Sequence, residues 1–179
     1  SNTSGSITFT GPVGLDSTGN ITIQTATANS DDISFSSTID DTGSDSNLII
    51  NSNNSGGAPG GASGDVTFSD NVGATNSIAS INISGADDVT ISGTVVTSAG
   101  SISITSDTVE LGGGAITTTI TSGGADTEDI TISGTIDDGS NDTTLALNAG
   151  AAGDVTLSSA VGATNKPAAL TISNAFDAS

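Results

Sequence analysis

Carboxylates are the side chains in this sequence with the most chemistry to offer. Of 179 residues 20 are acidic, and Lys166 is the one base, so the formal net charge is −19. Two Asp-rich segments stand out, Asp40-Asp41-Thr42-Gly43-Ser44-Asp45-Ser46-Asn47 and Asp137-Asp138-Gly139-Ser140-Asn141-Asp142. Asp138 follows Asp41, and Asp142 follows Asp45, by the same 97 residues. Clustered carboxylates around a glycine turn suit Ca²⁺, which takes about six to eight hard oxygens in a flexible loop. Asp41, Asp45, Asp138 and Asp142 are therefore the candidate Ca²⁺ ligands, and Ca²⁺ is the one cofactor the sequence suggests. Neither segment is an EF-hand loop. The same mixture of Asp, Asn, Gly and Ser is also what a tight, solvated turn asks for, so both readings stand.

Catalysis has little to build on. His, Cys, Tyr and Arg are all absent, which removes the usual general bases, nucleophiles and oxyanion clamps. A carboxylate pair of the kind that cleaves polysaccharides remains, but four Phe with no Trp or Tyr leave sugars few rings to stack on. The expectation is a non-enzyme, with a polysaccharide-active enzyme as the third reading. One base among 20 acids excludes nucleic acid as a direct partner, since phosphate binding needs Lys and Arg to displace counterions. An anionic membrane surface is disfavoured for the same reason, and no apolar run is long enough to insert in a bilayer. With no Cys, no disulfide holds the chain.

The elements that would carry these carboxylates are written twice. Gly64-Asp65-Val66-Thr67-Phe68 and Val72-Gly73-Ala74-Thr75-Asn76 return 89 residues later as Gly153-Asp154-Val155-Thr156-Leu157 and Val161-Gly162-Ala163-Thr164-Asn165. Copy one spans about 7–84 and copy two about 89–173, within a single domain 1–179 and with an insertion loop at 52–62. Extra residues also enter the second copy around Thr108–Thr119. Short alternating runs such as Ile21-Thr22-Ile23, Ser101-Ile102-Ser103-Ile104 and Asp129-Ile130-Thr131-Ile132 read as strands of period two. High charge and few aromatics also describe disordered chains, but regularly spaced Val, Ile and Leu argue for a fold.

The expected class is all-β, a parallel β-helix (β-solenoid). Coils of about 20 residues, stacked at about 4.8 Å, would give about nine coils. Inward Val, Ile, Leu and Phe would then form ladders. An antiparallel sandwich is the competing architecture. Phe9, Phe35 and Phe68 align in the repeat with Ile91, Ile132 and Leu157, which marks them as core.

Gly-Asp-Val-Thr-Phe, Val-Gly-Ala-Thr-Asn, Ile-Asn-Ile-Ser-Gly, Val-Thr-Ile-Ser-Gly-Thr-Val and Leu-Ile-Ile-Asn, in that cyclic order, resemble the β-strand repeats of very large bacterial surface proteins. These are the filamentous-haemagglutinin-like and autotransporter-like adhesins. The resemblance covers nearly the whole chain and is as much compositional as motif-based. It implies a secreted, extracellular parallel β-helix that acts as stalk, fibre or adhesive surface at the cell surface. The alternative within that resemblance is a Ca²⁺-dependent module that binds a glycan or a neighbouring cell.

Solenoids usually cover their terminal strands with polar caps, and no cap is evident here. Expected partners are copies of the chain stacked head to tail, or further repeats in the same polypeptide. The residues expected at such a joint are Ile7, Phe9, Leu170, Ile172 and Phe176.

Overall fold

The computed structural model describes residues 5–25, 31–43, 45–52, 63–112, 117–123, 128–139 and 142–179. Apart from Ser52, the expected insertion loop 52–62 lies outside the described residues. Within them, every regular element is a short strand, and every strand pairing is parallel. The chain winds over three faces in turn, the period-two runs forming the strands.

The first circuit lays down β1 (Ile7–Phe9), β2 (Val13–Leu15) and β3 (Asn20–Gln24), one on each face. The second lays β4 (Ile33–Phe35), β5 (Ile39–Asp41) and β6 (Asn47–Asn51) on them. β7 (Val66–Phe68) and β8 (Ser80–Ser84) follow, with Val72 bridging Ile39 to Val96 on the second face between them. β9 (Asp88–Ile91), β10 (Val95–Thr97) and β11 (Ile102–Thr105) complete the next circuit. β12 (Thr108–Leu111), β13 (Thr117–Thr121) and β14 (Ile130–Ile132) come after it. β15 (Thr135–Asp138), β16 (Thr144–Asn148), β17 (Val155–Leu157) and β18 (Ala169–Ser173) end the series.

On the first face the order is β1-β4-β7-β9-β12-β15, so five circuits separate its outer strands. The solenoid therefore has about five turns, not nine. Paired residues Ile7, Ile33, Val66, Val89, Val109 and Ile136 mark turns of 26, 33, 23, 20 and 27 residues. One turn has the expected length. The others are longer, by between 3 and 13 residues.

Inward positions stack into ladders with little solvent contact. On the third face Ile23, Ile50, Ile83, Ile104, Ile132 and Leu157 form one column, and Ile50, Ile83, Ile104 and Ile132 are buried. On the first face Phe9, Phe35 and Phe68 stack ring on ring, with centroids 4.9 and 5.4 Å apart. That column continues through Ile91 and Leu111 to Asp138. Parallel rings at this spacing add to the burial of their apolar area.

The two sequence copies do not fall on matching faces. β1 and β9 share the first face and β3 and β11 the third, but β4 lies on the first face whereas its sequence match β14 lies on the third. The residues inserted in the second copy form β12 and β13, two strands on a three-faced stack. Everything after them is carried round by one face.

Candidate functional site

The paired aspartates close β5 and β15. In both strands Ile, Asp, Asp alternate inward, outward, inward, so the second Asp enters the core side of the stack. Asp41 is 2% exposed and Asp138 is fully buried. A carboxylate there must be satisfied by donors from the protein. For Asp41 these include the amides of Gly43 to Oδ1 and Ser46 to Oδ2, each at 2.6 Å. For Asp138 they include the Thr143 amide to Oδ2 at 2.7 Å and the Thr143 hydroxyl to Oδ1 at 3.0 Å.

The first Asp of each pair points outward and holds the loop of the following circuit. Asp40 Oδ1 accepts the amides of Thr75 and Asn76 at 2.8 and 3.4 Å. Asp137 Oδ1 accepts those of Thr164 and Asn165 at 2.9 and 3.0 Å. Each loop turns at a glycine in the left-handed region, Gly73 with φ 67° and Gly162 with φ 73°, where only glycine is free of a Cβ penalty. Their amides return to Ile39 and Ile136 carbonyls at 2.6 and 2.7 Å.

Of the four residues singled out as Ca²⁺ ligands, the structure thus places Asp41 and Asp138 inside the stack as acceptors for turn amides. Asp45 and Asp142 lie four residues further on and are exposed, and Asp45 is in the left-handed region at φ 56°. The two pairs sit on different faces and are not brought together. Among the described residues, no group of three or more His, Cys, Asp or Glu side chains is arranged to hold a metal ion. The arrangement acts as a turn clamp: anionic oxygens absorb amides that the tight corner would otherwise leave unpaired.

The residues expected at a head-to-tail joint divide between the two ends of the stack. Ile7 and Phe9 lie on β1, the edge strand of the first face, and are half-buried against the core. Leu170 and Ile172 lie on β18, the edge strand of the second face, and are 40% and 38% exposed. Phe176 is 78% exposed, and its amide donates to the Gly153 carbonyl at 2.9 Å.

Sequence reasoning missed a second set of aspartates, those that stand immediately before or at the start of strands. Asp65 Oδ1 accepts the Asp88 amide at 3.3 Å, and Asp32 Oδ1 accepts the Asp65 amide at 3.0 Å. Partial desolvation pushes the Asp65 carboxyl above its ordinary value; the Asp88 amide opposes this, while the like charges of Asp32, Asp88 and Asp87 add to it. Asp87 is raised by desolvation first and then by Asp88 and Asp107. The signal was present in the sequence as Asp directly ahead of Ile or Val in Asp32-Ile33, Asp65-Val66, Asp88-Val89, Asp129-Ile130 and Asp154-Val155.

No protein-family model matches this chain, and neither a curated protein nor a solved structure is detectably similar to it.

Proposed function

We propose that this chain is a non-catalytic structural segment, a stiff acidic solenoid that forms part of an extracellular adhesin stalk or surface filament. Its turns continue head to tail, through copies of itself or through further repeats. The observation that carries this reading is β18: an edge strand with Leu170 and Ile172 in register over the buried Leu145 and Leu147 of β16 and every residue exposed. Such a strand offers an open main-chain edge together with apolar side chains, which is a template for another parallel strand. The ladders above it are continuous, so one more turn would extend the same packing. The extracellular placement rests on the resemblance to bacterial adhesin repeats and on the acidic, Cys-free composition.

Light scattering over a dilution series tests the reading. The chain should associate end to end at high concentration, and Leu170→Asp with Ile172→Asp should leave it folded and monomeric. A chain that stays monomeric at every concentration, with β18 amides protected from exchange, would refute self-stacking.

A further inference from the structure

Two columns of aspartates run along the stack. On the first face the column is Ser6, Asp32, Asp65 and Asp88, one residue before the paired positions Ile7, Ile33, Val66 and Val89. On the third face it is Ser101, Asp129, Asp154 and Asp177, ahead of Ile102, Ile130, Val155 and Ala178. Within each column, every amide donates to the side chain of the circuit before. The distances are 3.0, 3.0 and 3.3 Å on the first face and 3.1, 2.9 and 3.0 Å on the third. Each column opens on a hydroxyl and then carries three carboxylates in succession.

Strands stack about 4.8 Å apart, so adjacent carboxylates in a column are neighbours of like charge, and such pairs favour uptake of a proton by one member. The charged groups around Asp65 are Asp32 and the buried Asp31 from the circuit before and Asp88 and Asp87 from the circuit after, and Asp107 lies beside Asp87 in turn. All are acidic. The ladder bond uses one carboxyl oxygen, and a protonated carboxyl keeps its carbonyl oxygen as an acceptor. A proton can therefore enter a column without breaking its chain of hydrogen bonds. The clamp residue Asp41 differs, because both its oxygens accept amides and protonation would remove one acceptor.

We infer that the first-face aspartate column is a pH-responsive device that tightens the solenoid on mild acidification, by relieving repulsion around Asp65 while the ladder hydrogen bonds stay in place. The sign follows from linkage. The Asp65 carboxyl lies above 3.8 in the folded chain, so between that ordinary value and its raised one the folded chain holds more proton than the unfolded one. Its contribution to stability is present in full below 3.8 and is lost as pH rises through the raised value.

Thermal melting between pH 8 and pH 4.5 at low salt tests the device, on the wild type and on Asp65→Asn, Asp88→Asn and Asp142→Asn. Asparagine keeps the acceptor oxygen and removes the charge. Expected are a wild-type Tm that rises by several degrees on acidification, and column variants that melt higher than wild type at pH 8 with a shallower rise. Asp142→Asn, outside the columns, should keep the wild-type slope. A wild-type Tm that is flat or falls over this range would overturn the inference, as would column variants with the wild-type slope. Should a column variant fail to fold, 0.5 M NaCl on the wild type decides: a flattened slope supports the inference and an unchanged slope overturns it.

Discussion

Phe68 and Leu157 stand 89 residues apart at matched positions of the recurring Gly-Asp-Val-Thr motif, yet Phe68 lies on the first face of the solenoid and Leu157 on the third. Each fits its own column, Phe68 against Phe35 and Leu157 next to Ile132. The same strand sequence thus serves on two faces, because all three faces ask for the same pattern of inward aliphatic and outward polar residues. Matched main-chain bonds follow it round the axis: Asp87 N to Gly64 O at 3.0 Å, and Phe176 N to Gly153 O at 2.9 Å. Gly85 and Asn174, also 89 residues apart, are both left-handed, with φ 77° and 49°.

The clamp account separates aspartates that look alike in the sequence. Asp138→Ala should destabilise the chain by about 2–4 kcal/mol, because a buried amide and a buried hydroxyl lose their acceptor. Asp142→Ala, four residues away and exposed, should stay within about 0.5 kcal/mol of wild type. Urea unfolding of the two variants measures the difference, and equal effects would argue against the clamp.

The ladders give a second contrast. Ile104 is 1% exposed in mid-column whereas Ile172 is 38% exposed on the edge. Ile104→Ala should cost about 2–5 kcal/mol through lost burial and the cavity left behind. Ile172→Ala should cost under about 1 kcal/mol in the isolated chain. Ile132→Asp, which puts a charge in a fully buried rung, should abolish the cooperative melt.

Much of this was legible in advance, and the limits have physical causes. Period-two alternation marked Ile104 and Ile132 as inward, and both are buried, because burial in a strand follows local spacing alone. The number of turns was not legible, since ladder geometry fixes the rung and leaves corner length open. The circuit from Ile33 to Val66 takes 33 residues and that from Val89 to Val109 takes 20. The face of each strand was hidden for the same reason: extra residues around Thr108–Thr119 were evident, but not that they form two strands on a three-faced stack. At Asp41 and Asp138 composition left a cation site and a tight turn both open, and amides of the same turn meet the carboxylates. Sequence spacing cannot distinguish those two kinds of positive partner.

The aromatic column is a third test. Phe35 is 1% exposed between Phe9 and Phe68, and Phe35→Ala should cost about 3–5 kcal/mol. Phe176→Ala should leave the melting temperature of the dilute chain unchanged, since its ring is 78% exposed. At concentrations where chains associate, the same variant should weaken association, as measured by sedimentation.

Repulsion among 20 carboxylates opposed by one base gives a fourth. Screening reaches about 10 Å at 0.1 M salt, so moving from low to moderate salt at pH 8 should raise the melting temperature. A decrease would mean that attractive pairs outweigh the stacked aspartates.

Electron cryomicroscopy of the purified chain at high concentration tests the proposed function most directly. The account predicts rods of uniform width that join end to end, with an axial repeat of about 4.8 Å between turns and β18 of one chain paired with an incoming strand of the next. Single compact particles with no axial contact, at concentrations where the chain is well folded, would contradict it.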